Sequence, residues 1–289
     1  MKILLSGASG FIGRHLLDTL IDRGHSVTAL GRNPDSITAF KKADQFDFIR
    51  CDLETPPATL LDSCADYDLL VHGAWGRLAD YRDTWHFEEN LQMHRKFLTG
   101  LIEAGLPQIT MLGTCLEYGL QEGALSEEAP CKPVLAYPRG KRALHEHLLE
   151  LQQSREFRLQ WLRLFYIYGP DQRGKSLFSQ LQQAIDDGLD EFAMSPGEQV
   201  RDYIHVDDLA LMIAEIAENP DFDGTVNCSG GQPDTVLNLV RQYIAHAGAS
   251  ITPAPGRFDY PDYEPFQFWA DTARLETLVS SLPTQALFR

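Results

Sequence analysis

The segment Gly7-Ala8-Ser9-Gly10-Phe11-Ile12-Gly13 constrains this chain more than any other. It follows an apolar run, Ile3-Leu4-Leu5, and precedes Leu16, Leu17, Leu20 and Ile21 at helical spacing. It therefore reads as a turn from a buried strand into a helix. Gly7 permits the tight turn, Gly10 lets the backbone approach a pyrophosphate, and Gly13 lets the helix pack against the sheet. The helix start, with Phe11 and Ile12 in its first turn, offers unpaired N–H groups to an anion. The segment predicts a dinucleotide cradle.

Strand and helix signals continue to alternate. Val27-Thr28-Ala29-Leu30, Phe48-Ile49, Leu69-Leu70-Val71, Ile109-Thr110-Met111-Leu112 and Trp161-Leu162-Arg163-Leu164-Phe165 predict further strands. Phe87, Leu91, His94, Leu98 and Leu101 mark one stripe of a single long helix. Tyr137 to about Gln153 reads as another helix, and Val206, Leu209, Ala210, Ile213 and Ile216 as a third. This alternation predicts an α/β fold, a doubly wound parallel sheet of Rossmann type. The rhythm weakens after Pro170. That divides the chain into a dinucleotide-binding domain, 1–170 plus 201–228, and a smaller C-terminal substrate lobe, 171–200 and 229–289.

The second strand ends in Gly31-Arg32. An acid there would accept the ribose hydroxyls of NAD, whereas a guanidinium pairs with a 2′-phosphate, so Arg32 favours NADP(H) over NAD(H). Asp52, after the third strand, can accept from the adenine amino group or serve a turn. Its neighbour Leu53, and Ala74 after the fourth strand, are further expected cofactor contacts.

The formal net charge is -16. Such a surface repels nucleic acid and anionic lipid, so neither is an expected partner. No apolar run approaches the ~18 residues of a membrane span. Five cysteines without a C-x-x-C pair argue against a disulfide framework or a zinc site and predict a cytoplasmic protein. In His145-Glu146-His147, residues two apart on a helix point about 200° apart, which predicts a solvated face and no metal.

Tyr137 and Lys141 stand four residues apart, on one helix face. A phenol of pKa ~10 is a poor acid–base at neutral pH, and a neighbouring ammonium is expected to lower that value. Thr114 closes a strand and offers a hydroxyl to a reacting oxygen. These residues join Gly113-Thr114-Cys115-Leu116-Glu117-Tyr118-Gly119, Tyr168-Gly169-Pro170 and Arg201-Asp202-Tyr203-Ile204-His205-Val206-Asp207-Asp208. In this order the set resembles the extended short-chain dehydrogenases/reductases, in the branch of nucleotide-sugar epimerases, dehydratases and reductases.

The resemblance covers nearly the whole chain. It implies that Thr114, Tyr137 and Lys141 are catalytic and that Lys141 also holds the nicotinamide ribose. It implies that Arg201 contacts the diphosphate or base of a nucleotide sugar, that Asn90 lies near the active site, and that Arg257 is a second phosphate contact. Tyr166 stands where many members carry an Asn that holds the diphosphate, and Trp75 is expected to line the sugar site. A homodimer is also implied. Dehydratases of this kind carry an acid pair directly after the catalytic Thr. Cys115 and Leu116 stand there instead, and Glu117 is displaced and expected to point elsewhere. With Arg32, this predicts NADPH-dependent reduction of a nucleotide-linked 4-keto-6-deoxyhexose, similar to the reductases that form CDP-abequose and CDP-paratose. A 4-epimerase with tightly bound NAD and a non-catalytic NADP-binding sensor are the alternatives.

Overall fold

A computed structural model describes residues 1–37, 44–172, 174, 176–283 and 288. Its central sheet contains β1 (Lys2–Ser6), β2 (Ser26–Gly31), β3 (Asp47–Arg50), β4 (Leu69–His72), β5 (Gln108–Leu112), β6 (Arg158–Leu164) and β7 (Gly224–Cys228). All neighbours are parallel, in the order β7-β6-β5-β4-β1-β2-β3. The order reverses at β1, which pairs with β2 on one side and β4 on the other. A reversal of this kind opens a crevice at the carboxyl ends of the two diverging strands.

Four helices cover the sheet: α1 (Phe11–Asp22), α2 (Asn90–Glu103), α3 (Ala136–Gln152) and α4 (Val206–Glu218). Side chains alternate across a strand, so Ile3 and Leu5 face α1 and α4, joining Leu16, Leu20, Leu209 and Ile213. Leu4 faces the other way, into a cluster with Phe97, Leu101, Leu144 and Leu148 from α2 and α3. The sheet is thus buried on both faces, as its continuous apolar strands require.

The single long helix expected through Phe87 and Leu101 is two helices. Trp85–Glu88 and Asn90–Glu103 meet at Glu89, which has φ -103 and ψ -53. The break turns Phe87 outward, 46% exposed, while His86 takes the inward place at 0%. His86 is held there by Trp75 Nε1 and the Asp80 carbonyl.

A second, four-stranded sheet is formed by Gly123–Leu125 from the first 170 residues together with Val200–Arg201, Asp234–Thr235 and Gln267–Ala270. Helices Leu177–Asp186 and Val236–His246 pack through Phe178, Leu181, Leu239 and Val240. Further on, Leu275 and Val279 return to the core shared by α1 and α4. Part of the stretch expected in the lobe therefore packs against the main sheet.

Candidate active site

The crevice begins at the glycine turn. Gly7 has φ +78, and a Cβ there would fall 2.7 Å from Ala74 N and from Gly73 C. At Gly13 a Cβ would fall 2.0 Å from the Gly7 carbonyl oxygen. The turn between β1 and α1 is therefore pressed directly against the loop after β4, with Ala74 N donating to Ser6 Oγ at 3.3 Å. Gly10 caps α1 without a side-chain hydrogen bond, and no acid occupies the first turn. Among the described residues the N-cap thus offers these leading N–H groups no side-chain acceptor, and the cradle fits the pyrophosphate of a dinucleotide.

Arg32 is exposed directly after β2. Asp52 is also exposed, and its Oδ1 accepts from Glu54 N at 3.0 Å, so it serves a turn. Leu53 packs against the α2–α3 core.

Beyond the cradle, Thr114, Tyr137 and Lys141 converge. Thr114 caps a short turn of 3-10 helix, Cys115–Tyr118, with its Oγ1 accepting from Leu116 N at 3.3 Å. Tyr137 and Lys141 lie one turn apart on α3 and are both buried. Hydrogen bonding with Thr114 acts on the Tyr137 phenol. Lys141 Nζ donates to the Leu112 carbonyl at 2.7 Å and sits 4.1 Å from the Trp75 ring centroid. Trp75 meets Tyr137 edge-on at 5.9 Å, and Tyr81 stacks on Tyr137 at 4.9 Å. The Tyr81 carbonyl also accepts from Tyr137 N at 3.0 Å. The predicted Trp75 is thus a direct neighbour of both Tyr137 and Lys141.

The electrostatics differ from expectation. The Tyr137 phenol is raised rather than lowered. Burial holds its pKa well above the usual value, Tyr81 and Glu117 add to the rise, and the Thr114 hydrogen bond opposes it. Burial lowers Lys141 to about 7, against an upward pull from Glu117. In a dry site each group first bears the cost of its own charge, and the ammonium is directed to the Leu112 carbonyl and the indole face.

A polar line behind Trp75 escaped the sequence. Ser6 Oγ lies 2.8 Å from His72 Nδ1, and His72 Nε2 lies 2.8 Å from His94 Nδ1. The His94 ring stacks on Trp75 at 4.5 Å. Burial lowers His72 to about 3 and also lowers His94, so both rings are neutral. The available signal was a histidine at the end of an apolar strand and another within an apolar helical stripe. One turn before His94, both side-chain amide atoms of Asn90 are buried without a hydrogen-bond partner among the described residues.

Glu117 does point away from the crevice. Its Oε1 accepts from Thr114 N at 3.0 Å and from Trp161 Nε1 at 3.1 Å, and its Oε2 accepts from Arg163 Nε at 3.1 Å. His145 is not solvated as expected. It is buried because its ring stacks on Trp161 at 4.3 Å, while His147 Nε2 lies 3.0 Å from Thr99 Oγ1.

On the substrate side, Arg201 is buried and bonded to Glu264 at 2.9 Å, and it also donates to the Val200, Pro265 and Phe266 carbonyls. Tyr166 joins this group, with its hydroxyl 3.4 Å from Glu264 and its ring 5.2 Å from the Arg201 guanidinium. Asp202 instead accepts from Ser229, Gly231 N and Gln232 N. Arg257 is exposed, with its guanidinium 3.6 Å from Glu191. Tyr81 and Glu264, unmarked by sequence, approach each other closely enough that Glu264 helps raise the Tyr81 phenol, after burial and Cys115. Among the described residues no group of three or more His, Cys, Asp or Glu side chains is placed to hold a metal ion, and no helix is long and apolar enough to cross a membrane.

Comparison with known proteins matches residues 3–229 to the model of the NAD dependent epimerase/dehydratase family. The dTDP-6-deoxy-L-talose 4-dehydrogenase (NAD(+)) of Aggregatibacter actinomycetemcomitans is 29% identical over 273 residues, covering 93% of this chain and 99% of that protein. The dTDP-6-deoxy-L-talose 4-dehydrogenase (NAD(P)(+)) of Kitasatospora kifunensis is 25% identical, covering 88% and 82%. Among solved structures, UDP-glucuronic acid 4-epimerase from Bacillus cereus, in complex with UDP-glucuronic acid and NAD, superposes with a TM-score of 0.82 at 26% identity, covering 99% of this chain and 95% of that one.

Proposed function

The chain belongs to the NAD dependent epimerase/dehydratase family, and from that premise we propose that it is a cytoplasmic NADPH-dependent reductase of a nucleotide-linked 4-keto-6-deoxyhexose. One observation supports the reading: Thr114 hydrogen-bonds the Tyr137 phenol, and Trp75, next to Ala74 at the glycine turn, touches both Tyr137 and Lys141, while the two positions after Thr114 hold Cys115 and Leu116 rather than acids. The site is therefore equipped to move a proton at a sugar oxygen and lacks the acid pair that elimination would need.

The dinucleotide, when bound, supplies the hydride. Gly7, Gly10 and Gly13 leave room for its pyrophosphate, with Phe11, Ile12 and Ala74 around it. Lys141 holds its nicotinamide ribose, and Arg32 pairs with a 2′-phosphate. Tyr137 gives its hydroxyl proton to the sugar O4 as the ketone becomes an alcohol. Thr114 donates a hydrogen bond to the same oxygen and holds it in line. Lys141 offsets the charge that develops on the phenol. Trp75, Asn90 and Tyr166 border the sugar, and Arg201 meets the nucleotide diphosphate by exchanging its Glu264 contact for it. Arg257 is a second, outer phosphate contact. The two dTDP-6-deoxy-L-talose 4-dehydrogenase relatives support the 4-position and a 6-deoxy sugar, since oxidation at the 4-position is the reverse of a 4-keto reduction.

The test mixes the protein with NADPH and a dTDP- or CDP-linked 4-keto-6-deoxyhexose and follows the near-ultraviolet absorbance of the reduced nicotinamide. Consumption of NADPH with formation of the 6-deoxyhexose is expected. The second reading, a 4-epimerase with retained NAD, is favoured by the likeness to the UDP-glucuronic acid 4-epimerase. Interconversion of two 4-epimers without net NADPH consumption would replace the first reading by the second. The expected homodimer belongs to the same proposal and is tested by light scattering on the eluting protein.

A further inference from the structure

Glu117 is a fully buried carboxylate that the proposed reaction does not use. Burying such a charge is costly unless it is paired and hydrogen-bonded, and its contacts run to Thr114, directly after β5, and to Trp161 and Arg163 of the neighbouring β6. Oε1 receives Thr114 N, Oε2 receives Arg163 Nε from β6, and Trp161 Nε1 bridges both oxygens at 3.1 and 3.2 Å. Thr114 and Glu117 form a reciprocal capping box around the turn Cys115–Tyr118. The Thr114 oxygen accepts from Leu116 N, which leaves the proton on that hydroxyl available to donate to Tyr137 or a substrate oxygen. The carboxylate also lies against the end of β5. A Cβ on Gly113 would fall 2.9 Å from Oε1, and the preceding carbonyl, Leu112, is the acceptor of Lys141.

We propose that Glu117 is a positioning residue for the Thr114–Tyr137–Lys141 site: its contact with Thr114 N fixes the turn that carries the Thr114 hydroxyl, and its carboxylate, set against Gly113 beside the Leu112 carbonyl that accepts from Lys141, is the anion that counters the Lys141 charge. The inference rests on the reading of these three residues as catalytic. The groups facing Lys141 are few in kind. His72 from β4 and His94 from α2 are neutral, Tyr137 on α3 is held protonated by burial, and Glu117 is the carboxylate that raises Lys141. Across Glu117, Arg163 is shared with Tyr118 Oη and Cys131 Sγ, and burial raises both of those acids.

The experiment titrates Lys141 directly in the ligand-free protein, by NMR of lysine labelled with carbon-13 at Cε, with Lys141→Arg to assign the signal. The wild type is expected to titrate far below the ordinary lysine value of ~10.4. Glu117→Gln preserves the shape and an oxygen for Thr114 N but removes the charge, and it should move the Lys141 midpoint down by roughly one further pH unit. Glu117→Asp keeps the charge but shortens the reach to Thr114. It should leave the midpoint within about half a unit and lower turnover by roughly tenfold to a hundredfold. If Glu117→Gln alone does not fold, its combination with Arg163→Met removes the orphaned guanidinium as well, and a smaller downward shift is expected. An unmoved midpoint in the glutamine variant, single or double, overturns the proposal, as does wild-type turnover in Glu117→Asp. A wild type that reduces no 4-keto sugar nucleotide refutes the proposed function and leaves the titration readable.

Discussion

Acidification from about pH 7.5 to about pH 5 should destabilise this protein through buried histidines that cannot take up a proton while folded: His94 is one, and His72 and His145 supply the magnitude worked here. His72 is wholly enclosed between Ser6 and His94, and His145 is stacked on Trp161 with 4% exposure. Each has a folded pKa lowered to about 3, with burial as the largest cause, followed by Lys141 for His72 and Arg163 for His145. In the unfolded chain both return to ~6.5. Their contribution is fully present above that value and is lost as the pH falls toward the folded one. At about pH 5 the loss is about 2 kcal/mol for each, a large share of the ~5–15 kcal/mol by which domains are stable. The acidic surface does not offset this, because most carboxylates protonate only below about pH 5. Urea unfolding at fixed temperature across this range should show a falling midpoint. His145→Phe retains a ring against Trp161 and removes one of these titrations, so it should lose about 2 kcal/mol less than the wild type over the same interval. A wild-type free energy constant within about 1 kcal/mol, or a phenylalanine variant with the wild-type pH slope, would refute the reasoning.

Tyr137→Phe should lower turnover by roughly 10²–10⁴-fold while dinucleotide binding, followed by fluorescence, persists; unchanged biological activity with intact binding would support the sensor. Gly13→Ala places a methyl 2.0 Å from the Gly7 carbonyl oxygen. It should cost about 1–3 kcal/mol in thermal unfolding and weaken dinucleotide binding, because α1 must move off the turn. Arg32→Ala should weaken NADPH roughly tenfold or more and leave NADH unchanged in a parallel titration; equal effects on both would remove the basis for choosing NADP.

The sheet was legible because its information is local. Apolar runs such as Ile3-Leu4-Leu5 and Leu69-Leu70-Val71 are continuous where both faces are covered, and they became β1 and β4 of a parallel sheet. β7 was missed. Gly224-Thr225-Val226-Asn227-Cys228 has little apolar pattern of its own, and it becomes a strand by pairing with β6, some sixty residues earlier. The break at Glu89 was missed for a related reason. Phe87 fits the periodicity, but His86 finds hydrogen-bond partners inside and takes the buried place.

The glycine spacing at 7, 10 and 13 and the four-residue interval from Tyr137 to Lys141 follow from the chain alone, because turn sterics and helical geometry act over a few residues. Folding decided what surrounds them. It set Trp75 under the Lys141 ammonium, His94 against Trp75, Glu117 behind Thr114, and Glu264 on Arg201, a partner 63 residues distant. Protonation states belong to that second category. The sequence led to a lowered Tyr137, whereas enclosure raised it and lowered Lys141 instead. The cost of a charge depends on how much water the packed neighbours exclude, and no interval along the chain records that.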